Sequence, residues 1–139
     1  RLLALLREHS VDLIALAGYL KRIPLRVIEQ YRNRIVNIHP ELLPKFGGPG
    51  MFGIYVHEAV IAAGEKISGA TVHLVDEEYD HGAILMQKTV DVVSHDTPES
   101  LAAKVLPIEH EIYPLVLQAF AEGRVHINGK TVWIQPANS

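Results

Sequence analysis

Apolar side chains recur along this chain with two alternating periods, and the switch between them separates helices from strands. Leu2, Leu3, Leu5 and Leu6 share one face of a helix that ends near His9 and Ser10. Residues 11–17 read as a strand apolar enough to be covered on both faces. Gly18 stands at the C-terminal end of that strand, and residues 19–23 form a loop. Pro24 suits the first position of a short helix reaching Tyr31. A second strand follows, in which Ile35, Val36 and Ile38 are β-branched. Side chains alternate along a strand, so Asn37 and His39 point to one side while Val36 and Ile38 point to the other. Pro40 lacks an N–H and holds His39 extended, which ends the strand. Strand, helix, strand is a βαβ unit, with parallel strands and a right-handed crossover.

Residues 45–56 carry four glycines and a proline, which predicts a mobile loop beside the second strand's end. A helix over 57–63 closes at Gly64, and strands follow over 68–75 and 84–93. The eight residues between those strands are too few for a parallel crossover, so the pair is antiparallel. Thr97 caps a helix with Pro98 at its first position, and Leu101, Val105, Ile108, Ile112, Leu115, Val116 and Ala119 follow at helical spacing. Pro107 and Pro114 are expected to kink or split that helix, and Gly123 ends it. Residues 125–134 form a hairpin around Asn128-Gly129. The fold class is therefore α/β: an open sheet with a Rossmann-like parallel βαβ core, antiparallel strands, and a C-terminal helix and hairpin.

At 139 residues the chain fits a single domain, and its charge of −3 with scattered Lys and Arg argues against a nucleic-acid surface. No apolar run approaches the roughly 20 residues of a membrane span, and no secretory signal precedes the first helix. Cysteine is absent, which removes disulfides and thiol nucleophiles and fits a reducing, cytoplasmic setting. The chain opens at Arg1 inside an apparent helix, without methionine, so upstream sequence is expected.

The second strand's end carries the candidate chemistry. An amide and an imidazole at Asn37 and His39 can converge on one oxygen and stabilise the oxyanion formed when a carbonyl carbon is attacked. Taken singly, Asn37 also suits a turn cap, and His39 a core histidine bonded to backbone. Asp80 suits a turn; its sharper role is to orient His39, favour its protonated form and help a water move a proton. Glu77 and Glu78 read as a solvated turn face. His57-Glu58 and His110-Glu111 each begin H-E-x-x-H, but Ile61 and Pro114 occupy the last position, so no metal helix results. No G-x-S-x-G elbow supports a serine hydrolase. His57 and Glu109 read as helix-surface residues.

The stretches Asn37-Ile38-His39-Pro40-Glu41-Leu42-Leu43-Pro44, Ser68-Gly69-Ala70-Thr71-Val72-His73-Leu74-Val75 and Asp80-x-Gly82 closely resemble the formyltransferase family that uses 10-formyltetrahydrofolate. Leu16-Ala17-Gly18-Tyr19-Leu20, Asp96-Thr97-Pro98-Glu99-Ser100-Leu101 and Glu109-His110-x-x-Tyr113-Pro114 extend the resemblance over nearly the whole chain. It implies a formyltransferase-type sheet and transfer of the formyl group to the primary amine of glycinamide ribonucleotide in purine biosynthesis, without a metal. Asn37, His39 and Asp80 match the family's catalytic trio. Leu20, Lys21, Arg22 and Ile23 fall on its folate-contacting loop, and Asp76, Glu77, Glu78, Tyr79 and Gly82 on the loop that wraps the pterin. Gly18 and Glu109 match positions that hold the ribonucleotide.

Against the family pattern, residues 1–139 look like the C-terminal two-thirds of a single catalytic domain. The upstream strand and helix, with the glycine-rich loop that binds the substrate phosphate, are not in the chain. The 45–56 loop is longer than the family's form, and Leu106 replaces a polar residue three before Glu109. The partners implied are the two small-molecule substrates, with no nucleic acid or membrane, and a homodimer is an assembly to test. Two alternatives remain: a formyltetrahydrofolate deformylase, whose pattern has His-His where this chain has His39-Pro40, and a folate-binding module without turnover. A methionyl-tRNA formyltransferase is disfavoured by the lack of a basic RNA-binding domain.

Overall fold

The computed structural model describes residues 1–16, 22–48, 50–77, 82–129 and 131–137. In chain order its elements are α1 (Leu2–Glu8), β1 (Ile14–Ala15), α2 (Leu25–Gln30), β2 (Ile35–His39), α3 (Ile54–Ala62), β3 (Ile67–Leu74), β4 (Ile84–Asp91), α4 (Pro98–Ala121), β5 (Val125–Asn128) and β6 (Thr131–Ile134). β1 to β4 lie in that order in one sheet, and β5 and β6 pair separately. β1 runs parallel to β2, whereas β2–β3 and β3–β4 are antiparallel. The expected α/β class and the βαβ pairing hold.

β2 divides the apolar interior. Val36 joins the larger cluster with Val60, Val72, Leu101 and Val105, against which Ile38 packs. Ile35 points the other way, to a smaller cluster with Val27, Ile28 and Tyr31. Alternation therefore places Asn37 and His39 on the face of Ile35, and the strand stops at His39 as Pro40 requires.

Several elements differ from expectation. β1 is two residues long, and Ala15 is exposed. It is the last strand of the sheet on that side among the described residues, so only one edge is paired. Pro24 lies outside α2 as its N-cap, with extended backbone at φ −55° and ψ 140°. α3 begins at Ile54, which takes three residues from the expected loop. α4 is one continuous helix through Pro107 and Pro114. Both prolines lie on its exposed side, where water can take the carbonyls they free, while Val105, Ile112 and Val116 are buried opposite. In the hairpin, Asn128 pairs with Thr131, and Gly129 takes the positive φ, +63°, that a two-residue connection demands.

Candidate active site

The register of β2 on β3 sets Asn37 against His73 and His39 against Thr71. His73 Nδ1 lies 3.0 Å from the Leu74 carbonyl, which only accepts, so that nitrogen carries the proton. Nε2 is then the acceptor for the Asn37 amide N–H at 3.3 Å. His39, 4% exposed, directs Nε2 to the Phe46 carbonyl at 3.0 Å, which makes Nε2 its protonated nitrogen. The two donors thus stand at one strand end as expected but engage separate acceptors, because each buried polar group takes the nearest partner its element offers.

The chain beyond His39 is stapled to β3. Thr71 Oγ1 donates to the Glu41 carbonyl at 2.6 Å and accepts from Leu43 N–H at 3.1 Å. Gln87 Nε2 reaches both Thr71 Oγ1 and the Leu43 carbonyl at 3.0 Å. His57, expected on the surface, is 3% exposed, and its Nδ1 makes no hydrogen bond. Burial, then the nearby His39, lowers its affinity for a proton. Glu41 is 2% exposed; its Oε1 accepts the Leu42 N–H and its Oε2 has no partner. Burial holds its carboxyl above the ordinary range.

Two segments read as folate-contacting meet. Arg22 donates to the Glu77 carbonyl, and Arg32 pairs with the Glu77 carboxylate. Ile23 packs against the smaller cluster. Asp76 and Gly82 lie in the wall of an open cavity of about 660 Å³, together with Arg32, Pro44 and Val132. Gly82 also answers a packing demand, since a Cβ there would run into the Leu74 carbonyl. Glu109 is half-buried on α4, and burial raises its carboxyl's affinity for a proton. Asp80, Gly18, Leu20, Lys21, Glu78 and Tyr79 lie outside the described residues.

Sequence reasoning passed over His73 and Tyr113, whose hydroxyl contacts the Leu16 and Val36 carbonyls. The available signals were Thr71 and His73 alternating as polar residues in an apolar strand, and Tyr113 one helical turn after Glu109.

An amide and an imidazole stand at the C-terminal end of a strand in an open α/β sheet, the place where such sheets take ligands, and residues 1–117 match the formyl transferase family. The chain belongs to that family. It is 51% identical over 124 residues to the chloroplastic phosphoribosylglycinamide formyltransferase of Arabidopsis thaliana, covering 89% of this chain and 42% of that protein. The crystal structure of phosphoribosylglycinamide formyltransferase from Anaplasma phagocytophilum superposes with a TM-score of 0.87 at 37% identity, covering 99% of this chain and 64% of that one. A formyltetrahydrofolate deformylase from Pseudomonas syringae gives 0.86 at 28% identity, covering 96% and 43%. The chain spans less than two-thirds of each of these relatives. Among the described residues no helix is long and apolar enough to cross a membrane.

Proposed function

We propose that this chain is the catalytic part of an enzyme that moves the formyl group of 10-formyltetrahydrofolate to the amine of glycinamide ribonucleotide. Residues 1–139 then form the C-terminal two-thirds of one catalytic domain. The observation that carries the reading is the pair Asn37 and His39 at the end of β2, in a chain of this family. The amine nitrogen attacks the formyl carbon, a C–N bond forms, and the carbonyl oxygen takes negative charge. An amide has two N–H bonds, so Asn37 keeps one for that oxygen while His73 holds the other. The His39 Nε2–H transfers from the Phe46 carbonyl to the same oxyanion, a stronger acceptor. Asp80 orients His39 and helps remove the amine proton. Collapse breaks the bond to the folate nitrogen, which leaves with a proton.

Folate recognition falls to residues 20–23 and 76–82, for which the Arg22–Glu77 contact is the structural support. Gly18 and Glu109 hold the ribonucleotide. The cytoplasm is the proposed compartment; the Arabidopsis relative is designated chloroplastic.

The test is formyl-folate consumption by the full-length gene product, with and without glycinamide ribonucleotide. Consumption that requires the ribonucleotide is expected. Equal consumption in its absence points to the deformylase, and none in either case to a binding module.

A further inference from the structure

Pro40 and Pro44 deprive the turn after His39 of two N–H groups, and the next helix begins only at Ile54. The turn is held from outside. The sheet sets three side chains in one row, His39 opposite Thr71 on β3 and Thr71 opposite Gln87 on β4. Residues paired in this way present their side chains to the same face. Gln87 therefore extends from β4 across Thr71 toward the chain that leaves β2.

The polar groups there are matched one to one. Gln87 Nε2 lies 3.0 Å from the Leu43 carbonyl and 3.0 Å from Thr71 Oγ1. The Leu43 carbonyl only accepts, so the amide atom facing it is the nitrogen, and its two N–H bonds serve the two oxygens. Thr71 Oγ1 donates its one proton to the Glu41 carbonyl and accepts from the Leu43 N–H and from Gln87, which fills both lone pairs. Both main-chain polar groups of Leu43 are thus held by side chains of β3 and β4. Loss of the Gln87 amide frees the Leu43 carbonyl and leaves Thr71 one acceptor site unfilled.

This turn leads to the group that holds His39. The Pro44 ring sets its own φ, and the Pro44 carbonyl accepts the Gly47 N–H at 3.4 Å, closing a turn over 44–47. Phe46 lies inside that turn, and its carbonyl takes the His39 Nε2–H at 3.0 Å. The Phe46 ring packs against the larger cluster, which anchors the residue on one side, while the Leu43 bonds set the chain that enters it. The Lys45–Glu65 pair is open to solvent on the lysine side and adds little. The bond that an imidazole makes selects its tautomer, so the direction of the Phe46 carbonyl decides which His39 nitrogen carries the proton.

We propose that Gln87 is a positioning residue for His39: its amide locks the turn at Leu43, and through it the Phe46 carbonyl that keeps the His39 proton on Nε2. This rests on the function proposed above, which gives that N–H to the oxyanion. Asn37 is oriented separately, by His73, and does not depend on Gln87.

The experiment compares Gln87→Met and Gln87→Glu with the parent in the full-length gene product. Gln87 is exposed, so neither change opens a cavity in a core. Methionine keeps the length without a donor. Glutamate keeps the shape of the amide, but when ionised it has no proton for the two acceptors. In each variant kcat is expected to fall about tenfold, the factor lost with one hydrogen bond. In nitrogen NMR spectra the His39 Nε2 resonance is expected to move toward that of an unprotonated ring nitrogen, while the Asn37 side-chain amide stays in place. An unchanged kcat in either folded variant, an unmoved His39 resonance, or an equal displacement of the Asn37 amide overturns the role. A parent protein that consumes no formyl-folate with the ribonucleotide present overturns the functional reading instead. The His39 resonance needs no turnover, and it then still decides whether Gln87 sets the ring.

Discussion

His73 orients the Asn37 amide, because it accepts one N–H and so fixes the direction of the other. Asn37→Ala removes both, and is expected to lower kcat by about 10²–10³, the range for loss of one oxyanion donor. Steady-state kinetics of the full-length variant check this, and near-normal turnover removes Asn37 from the mechanism. Glu41 poses a question of stability at the neighbouring turn. Its carboxyl pKa is raised from 4.5, chiefly by burial; Leu42 N–H opposes the shift, while Glu65 adds repulsion and Lys45 attraction. A raised folded pKa means that the folded chain binds the proton more tightly than the unfolded one. The resulting stability is present below the ordinary carboxylate range and is lost as pH rises through the folded value. Glu41→Gln cannot ionise and keeps an oxygen for Leu42 N–H. The variant is expected to match the parent near pH 4.5 and below, and to exceed it at neutral pH by on the order of 1 kcal/mol. Urea unfolding across pH measures the difference; a gain that does not grow with pH assigns the effect to packing rather than charge.

α4 shows how a helix start is written locally while its middle is decided elsewhere. Thr97 Oγ1 accepts the Ser100 N–H at 3.1 Å, and Ser100 Oγ accepts the Thr97 N–H at 2.9 Å, a reciprocal cap closed within four residues. Asp96 braces it, accepting from Ser100 Oγ and Val93 N–H and pairing with Lys104, which holds the Asp96 carboxyl well below the usual range. Thr97→Ala is expected to cost about 1 kcal/mol in urea unfolding, with helix content retained in the folded state. A cost near zero would mean that the Asp96 bonds hold the start by themselves. The cap was legible because its information is contiguous, and so were the end of β2 at Pro40 and the turn at Gly129. The uninterrupted course of α4 was not, since it depends on which side of the helix faces β3. Nor was the shortness of β1, which depends on how many neighbours the strand has. The site divides in the same way. Asn37 and His39 could be read from strand alternation, whereas His73, Thr71 and Tyr113 arrive by register and docking over long sequence separations.

Taken together, the layers predict an uneven stability across the 139 residues. The larger cluster ties β3, β4, α3 and α4 through Val60, Val72, Leu85 and Val105, and every residue of β3 after Ile67 is buried. The smaller cluster rests on α2 and Ile35, and α1 adds Leu3 and Leu6 to it without burying any residue fully. Contacts between exposed groups, such as Arg7 with Gln30 at 2.9 Å, add little to hold α1 in place. Few buried apolar contacts and a two-residue edge strand put α1 and β1 at the low-stability end, from which ligand-binding segments are commonly drawn. Native-state hydrogen exchange on this chain is therefore expected to show the slowest amides in β3 and the buried face of α4. Those of α1 and β1 should exchange at least about 100-fold faster, a difference in opening free energy of about 2.7 kcal/mol. Equal protection throughout would show that the smaller cluster opens only with the larger one. The expected gradient instead leaves β1 joined to the large cluster through its pairing with Val36 and through the Tyr113 hydroxyl on the Leu16 carbonyl.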